Sequence, residues 1–230
     1  MTNLIAAAAV FVLIHLLISG TRVRDALVAR LGEGAYMGLF SLASVAALAW
    51  LGFAYAGARD DAWNLAYWGV TPAGRHLQLS LQVIAFLFIV LGLATPNPTS
   101  VKQEGVLDRD DAVKGILRVT RHPFLWGVAI WAAGHLIVNG DRASLILFGS
   151  LLVLAVFGTA SIDAKRRRAL GDRWSGFAAR TSNIPFAAVL TGRQKLSLGE
   201  IGVIKPAIAL GVYAALLFAH PYLFGVPALP

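Results

Sequence analysis

Histidine is the residue type whose placement in this sequence could support chemistry. The chain of 230 residues contains five histidines and no cysteine. Residues 121–135, RHPFLWGVAIWAAGH, are mostly apolar, yet they begin with Arg121 and His122 and end on His135. Imidazole is a common metal ligand and an axial ligand of haem iron. Without cysteine, disulfides, thiolate metal sites and cysteine nucleophiles are excluded.

All five histidines fall in or at the ends of apolar segments, at positions 15, 76, 122, 135 and 220. An ionisable group inside a bilayer is a functional-site hypothesis by default. A single histidine in a helical bundle is usually a hydrogen-bonded structural group, but five without a cysteine favour a bound cofactor. Because thirteen helical residues rise roughly 20 Å, His122 and His135 cannot hold one metal ion together. The stretch therefore contains either two sites or one site and one anchor.

The two residues at the start of this stretch, Arg121 and His122, have two interpretations. Pro123 favours a helix start, so Arg121 and His122 could bind lipid phosphate at a helix N-terminus. Alternatively, Arg121 and His122 line a pocket at the mouth of the bundle, where they are the candidate catalytic residues.

The composition predicts an integral membrane protein. Hydrophobic residues make up 57% of the chain and charged residues only 14%, whereas soluble domains are nearer a quarter charged. The net charge of +8 does not indicate nucleic-acid binding, because the charges lie in alternate loops and form no basic groove interleaved with aromatic residues.

Six segments are apolar enough to be transmembrane helices, so the predicted fold is an all-α, polytopic membrane bundle. Sixteen of the twenty lysines and arginines lie in the loops after the first, third and fifth segments. This asymmetry predicts that those loops face the cytoplasm, with both termini periplasmic in a bacterial inner membrane. The predicted spans are 3–20, 35–57, 76–95, 123–138, 142–163 and 201–219.

A further helix is predicted in the third basic loop. In 164–180, Leu170, Trp174 and Phe177 fall on one stripe, with the arginines mostly off it. This pattern is typical of an amphipathic helix lying in the headgroup region with its apolar face toward lipid. The other interpretation is a helix that covers a pocket between the spans.

Several motifs resemble a known family. They include RVTRHPFLWGVAIWAAGHLIVNGD at 118–141, RTSNIPFAAVLTGRQ at 180–194, His15 with Ser19, LGEGAYMGLFSLAS at 31–44 and AHPYLFG at 219–225. On these residues the chain resembles the NnrU family, bacterial membrane proteins named from denitrification gene clusters. It is also similar to the plant and cyanobacterial 15-cis-ζ-carotene isomerases of the same superfamily.

The resemblance implies a single NnrU-like transmembrane domain over 1–230 that holds haem b. By motif position, His15 and His135 are the implied axial ligands, and His76 or His220 is the alternative partner of His135 on depth. The isomerase pattern has a cysteine where this chain has Ala132, so a thiolate cannot replace an imidazole here. The implied substrate is a lipid-soluble polyene such as ζ-carotene, or a quinone-like molecule.

Two other functions stay open. Arg121, His122, Pro123 and Gly127 also resemble membrane methyltransferases that use S-adenosylmethionine, with SIDAKRRRALGDRWSGF at 161–177 as the matching zone. In that zone the family's acidic pair is reduced to Asp163. The third possibility is a non-enzymatic accessory factor for nitrite or nitric oxide reduction, as the NnrU name suggests.

Overall fold

The computed structural model describes residues 1–229, and Pro230, the last residue of the predicted domain, lies outside them. Within 1–229, five helices are long and apolar enough to cross a membrane. A sixth apolar helix, Pro123–Val138, has 16 residues and rises roughly 24 Å, against a hydrocarbon thickness of about 30 Å. The protein is therefore an all-α, multi-pass membrane bundle. Its helices are α1 (Thr2–Leu13, continued by a π-helical turn at Ile14–Ser19), α2 (Arg22–Leu31), α3 (Glu33–Arg59), α4 (Pro72–Ala94), α5 (Pro123–Val138), α6 (Arg142–Leu170), α7 (Asp172–Arg180), α8 (Ala187–Leu190) and α9 (Ile204–Phe224).

Local capping explains where the long helices begin and end. The Asp141 carboxylate accepts a hydrogen bond from Ser144 N at 3.0 Å and starts α6. The helix extends beyond the predicted span, which ends at residue 163, because α6 continues through an arginine-rich turn, and arginine is a good helix former. The helix stops at Gly171, whose φ of 52° lies in the left-handed region that glycine adopts without strain.

The helices form a row in space in the order α9, α4, α5, α6, α1 and α3, each packed against the next, with α3 also contacting α6. At one end of the bundle, Tyr67 N donates to Gly140 O at 2.9 Å, and Arg59 Nη1 donates to Phe224 O at 3.2 Å. The loop 60–71, the turn 139–141 and the end of α9 therefore share one end. The opposite end, here called the basic end, carries segments 20–32, 95–122 and 164–203.

Glycines allow α4 and α5 to approach closely. A Cβ at Gly92 would lie 2.6 Å from Phe124 N, and one at Gly127 would lie 2.9 Å from Ala85 O. Small residues at helix contacts are the usual means of close packing in lipid, where no hydrophobic effect drives helices together. Close packing brings polar side chains of α4 within reach of the α5 backbone.

The amphipathic helix predicted at 164–180 is present as the last turns of α6 and as α7. The expectation that its apolar stripe enters lipid is wrong, because Trp174 and Phe177 are 0% and 1% exposed within the protein. They pack with Val113, and Leu107 and Leu170 cover the cluster. The segment between α4 and α5 folds back over α7, so protein rather than lipid buries the stripe.

Charged groups at the basic end connect the segment between α4 and α5 to the residues that precede α9, the last spanning helix. Arg118 donates to both carboxylate oxygens of Glu200, at 2.8 and 2.7 Å, and Gly115 N donates to the same carboxylate at 2.7 Å. The hydrogen bonds that Glu200 accepts lower the pKa of its carboxyl group to about 2, with Arg118 as the largest cause and Gly115 as the next. The segment after α4 is thereby connected to the segment that leads into α9.

Candidate functional site

Asp163 is the centre of a buried polar cluster where the basic end meets the membrane. Arg121 forms a bidentate ion pair with its carboxylate, including an Nε to Oδ1 distance of 2.9 Å. His122 Nε2 donates to Oδ1 at 2.7 Å, and Asn183 Nδ2 donates to Oδ2 at 3.4 Å. The side chains of Arg121 and Asp163 are each only 11% exposed. This Asp163 cluster links α6, the start of α5 and the loop after α7.

The backbone around Arg121 is held as firmly as its side chain. Arg121 N donates to Ser182 O at 2.9 Å. Arg121 O accepts hydrogen bonds from Asn97 Nδ2 at 3.0 Å and Thr99 Oγ1 at 3.2 Å. With the ion pair to Asp163 on α6, three separate segments therefore converge on Arg121, which fixes the position and direction of α5 where it enters the membrane.

The Asp163 cluster is saturated with internal hydrogen bonds. Both carboxylate oxygens accept from protein donors, so Asp163 is not available as a general base. Burial lowers the pKa of His122, which precedes α5, although the hydrogen bond to Asp163 opposes that shift. Arg121 and His122 are thus placed in an anchor for three segments, and their assignment as catalytic residues stays a prediction.

His15 lies in the π-helical turn that continues α1. Its Nδ1 is 2.7 Å from Phe11 O, and because a carbonyl oxygen can only accept, Nδ1 must carry the proton. The ring packs against Phe11 and Phe40, with centroid distances of 4.6 and 5.3 Å. A π-helical insertion of this kind is frequent at functional sites. Nε2 is left with a lone pair and makes no hydrogen bond with the residues described.

His135, near the other end of α5, has the same local geometry. Its Nδ1 lies 2.8 Å from Trp131 O, one turn earlier in the helix. The ring stacks on Phe148 with a centroid distance of 4.6 Å and packs against Trp131. Within residues 1–229, its Nε2 also has no hydrogen-bond partner. A backbone carbonyl bound to one ring nitrogen is the arrangement that orients a histidine whose other nitrogen binds a metal.

The depths of His15 and His135 can be compared along α6. A Cβ on Gly20, five residues after His15, would meet Ser161 Oγ, whereas His135 stacks on Phe148. About eight residues of α6 separate these levels, or about 12 Å. Each ring leans toward the N-terminus of its own helix, and α1 and α5 run in opposite directions. Along the bundle axis the two rings therefore lean toward a common level, which reduces the difference in depth.

The donor chemistry of this pair fits an iron porphyrin held by two imidazoles. Both rings carry the Nδ1 proton, and both Nε2 atoms are free of protein partners in the described chain. No cluster of three or more His, Cys, Asp or Glu residues suited to a metal ion occurs in residues 1–229, so a metal here would depend on a pair of ligands.

The other two histidines belong to the end opposite the basic end. His76 lies in the first turns of α4 and is exposed. His220 Nδ1 lies 2.7 Å from Val226 O near the end of α9, so it stabilises the turn that ends the helix. A cavity of about 450 Å³ lies instead at the basic end, between Leu93, Pro96, Lys102 and Arg109.

Sequence reasoning missed the partnership of Asp163 with Arg121 and His122 and treated Asp163 only as the remnant of an acidic pair. The signal was present, because Asp163 ends a long apolar run, and a carboxylate there needs a partner. Asn183 and Gln82 were also not selected as site residues. Gln82 donates to Trp131 O at 3.1 Å, so it forms a hydrogen bond between α4 and α5.

The apolar helices, the paired buried charge and the anchored intramembrane histidines define a multi-pass membrane protein with polar sites inside the bundle. Comparison with known families shows to which family this membrane protein belongs. The family model described as "NnrU protein" matches residues 3–228, and the chain belongs to this family.

Two curated relatives are named 15-cis-zeta-carotene isomerase, chloroplastic. The protein from Zea mays is 32% identical over 116 residues, which cover 46% of this chain and 30% of the relative. The protein from Arabidopsis thaliana is 31% identical over 120 residues, covering 48% of this chain and 31% of the relative. The match thus spans about a third of the length of these relatives. No solved structure matches the chain.

Breaking the Asp163 cluster on one side should cost more than removing both charges. Asp163→Leu leaves Arg121 buried without a counter-ion, and we expect a loss of about 3 kcal/mol in the free energy of unfolding. Arg121→Met should cost a similar amount for the reciprocal reason. The double variant should lose clearly less than the sum, measured by unfolding of the detergent-solubilised protein.

A matched control is Asp108→Asn. Asp108 pairs with Arg173 at 2.5 Å, but these side chains are 66% and 50% exposed, so the change should cost less than about 1 kcal/mol. Strict additivity of the Asp163 and Arg121 variants would show that the pair does not stabilise the bundle.

Proposed function

We propose that the protein holds haem b inside the membrane, with His15 and His135 as the residues that would bind its iron, and acts on a cis double bond of a lipid-soluble polyene. The observation that carries the proposal is the shared geometry of the two rings. In each, Nδ1–H binds the carbonyl one turn earlier, which leaves Nε2 ready to bind iron. The similarity to proteins named as ζ-carotene isomerases supports the choice of substrate class.

The residues around the two histidines have a definite part in such a reaction. Phe11 and Phe40 beside His15, and Trp131 and Phe148 beside His135, surround the rings with aromatic surface. These side chains exclude water and offer flat apolar contacts to a conjugated molecule that enters from lipid. Haem b, when bound, supplies reversible one-electron chemistry beside the substrate. A cis–trans isomerisation changes only the geometry of a double bond, so the composition and oxidation state of the substrate are unchanged and no further reactant is consumed.

The buried Ala132, at the position of the isomerase cysteine, limits the ligand chemistry. Its side chain is fully buried, and the chain contains no cysteine at any other position. A thiolate therefore cannot replace an imidazole as a ligand of iron in this protein.

The proposal is favoured over methyl transfer by the state of the Asp163 cluster. In a methyltransferase that used this region, Arg121 and His122 would have to face S-adenosylmethionine. Both donate instead to Asp163, with His122 only 2% exposed. The carboxylate of Asp163 and the guanidinium of Arg121 are therefore already paired with each other.

The haem proposal predicts a coloured protein. Purified in detergent, the wild type should show a Soret band that shifts on reduction, and His15→Ala or His135→Ala should abolish or shift it. His76→Ala is the matched control, because His76 is exposed in the first turns of α4, and its spectrum should be unchanged. A colourless wild type that does not bind added haem would exclude the proposed cofactor.

The substrate is tested separately from the cofactor. We expect the haem-loaded protein to convert 15-cis-ζ-carotene in lipid vesicles to the isomer with a trans central bond, as measured by chromatography. His135→Ala should reduce conversion at least tenfold. A haem protein with no effect on polyenes would direct attention to a quinone-like substrate or to the denitrification role, which a gene deletion in a denitrifying host would test.

The proposal also assigns an orientation in a bacterial inner membrane, with the basic end in the cytoplasm and both termini in the periplasm. Support comes from sixteen of twenty basic residues lying in three segments that share one end of the bundle. Alkaline phosphatase fused after residue 229 should be active, whereas the same enzyme fused after residue 110 should be inactive. The reverse result would contradict the orientation.

A further inference from the structure

Gln82 on α4 is a polar side chain that reaches His135 from a neighbouring helix. It is 5% exposed, and its Nε2 lies 3.1 Å from Trp131 O and 3.3 Å from His135 Nδ1. Its Oε1 is buried and has no hydrogen-bond partner among the residues described. A buried amide with an unsatisfied oxygen is costly in lipid, so this residue needs an explanation beyond packing.

Gly134 gives Gln82 access to the α5 backbone. A Cβ at position 134 would lie 2.6 Å from Gln82 Nε2, so any larger residue would displace the amide. The next residue along the chain is His135, and the carbonyl that Gln82 reaches is the one that His135 also binds. The absence of a side chain at Gly134 therefore makes room for the Gln82 amide and also allows close packing of the helices.

Two donors share the carbonyl of Trp131. His135 Nδ1–H approaches it at 2.8 Å and the Gln82 amide at 3.1 Å. The opposite orientation of the amide would bring two acceptor oxygens within 3.1 Å of each other, so the NH₂ group must face the carbonyl. The amide NH₂, the positive end of its dipole, then also faces the imidazole nitrogen.

We propose that Gln82 is a positioning residue that sets how strongly His135 donates electrons to a metal. By competing for the Trp131 carbonyl, Gln82 weakens the hydrogen bond from His135 Nδ1. A weaker bond at Nδ1 makes the imidazole a poorer electron donor through Nε2. The inference rests on the proposed haem site for its effect on iron, but the effect on the ring itself needs no cofactor.

The direction of the effect follows from charge. With Gln82 present, the positive end of its dipole and the weaker Nδ1 bond both disfavour the more positive, oxidised iron. Removing the amide should therefore favour oxidised over reduced haem. Replacing it with a carboxylate, as in Gln82→Glu, should shift the balance further in the same direction.

The first test uses the protein without haem. Histidine labelled with nitrogen-15 should report the Nδ1 proton of His135, identified by its loss in His135→Ala. In Gln82→Leu this proton resonance should move downfield, because the hydrogen bond to Trp131 O becomes stronger. Gln78→Leu is the matched control, since Gln78 lies one turn earlier on the same helix, and it should leave the resonance in place. An unmoved resonance in Gln82→Leu overturns the inference.

The second test uses the haem-loaded protein. At a fixed ambient potential, the ratio of reduced to oxidised haem should fall about fivefold in Gln82→Leu, the change that one ordinary hydrogen bond makes to an equilibrium. Gln78→Leu should leave the ratio unchanged, and Gln82→Met provides a second variant of similar length if leucine disturbs packing. A ratio that stays constant, or rises, in both Gln82 variants contradicts the proposal.

The two tests separate the failure of this inference from that of the proposed function. Failure of the wild type to bind haem removes the proposed function, whereas the resonance of the cofactor-free protein still decides whether Gln82 controls the His135 ring. A normal Soret band with unchanged resonance and ratio in Gln82→Leu leaves the function standing and removes only the role of Gln82.

Discussion

The pairing of Asp163 with Arg121 is the interaction on which the rest of the bundle depends. A carboxylate at the end of an apolar run, with its side chain only 11% exposed, has little water to solvate it, so it requires a partner from elsewhere in the chain. Arg121 supplies that partner, and its backbone is bonded to Ser182, Asn97 and Thr99. One buried charge thus determines where α5 enters the membrane and how the segments at the basic end converge around it.

The same requirement for partners organises the membrane interior. A neutral imidazole in lipid must direct its proton to an acceptor, and in both His15 and His135 that acceptor is the carbonyl one turn earlier. As a consequence, the Nε2 atom of each ring has no hydrogen-bond partner among the residues described. Such a nitrogen is costly in an apolar environment unless something binds it, which gives the pair its interest as a ligand set.

The length of α5 connects the two polar regions. With 16 residues it is shorter than a bilayer is thick, and it is fixed at the start by Arg121 and near the end by contacts of His135 and Gln82. A helix held at both ends has little freedom to slide, and the glycine contacts with α4 limit its distance from that neighbour. The Asp163 cluster lies about 20 Å from His135 and shares no contact with it. It therefore helps to fix the position of His135 through the helix α5.

The sequence by itself determined the membrane class, the positions of the six apolar helices and the family, because hydropathy and local motifs need no knowledge of distant contacts. It also placed His15 and His135 inside the bundle. Only the tertiary structure decided that Asp163 meets Arg121, that Trp174 is buried by protein rather than lipid, and that Gln82 reaches the carbonyl beside His135. These contacts join residues far apart in the chain, and their energies depend on which helices are neighbours. No periodicity along a single segment carries that information.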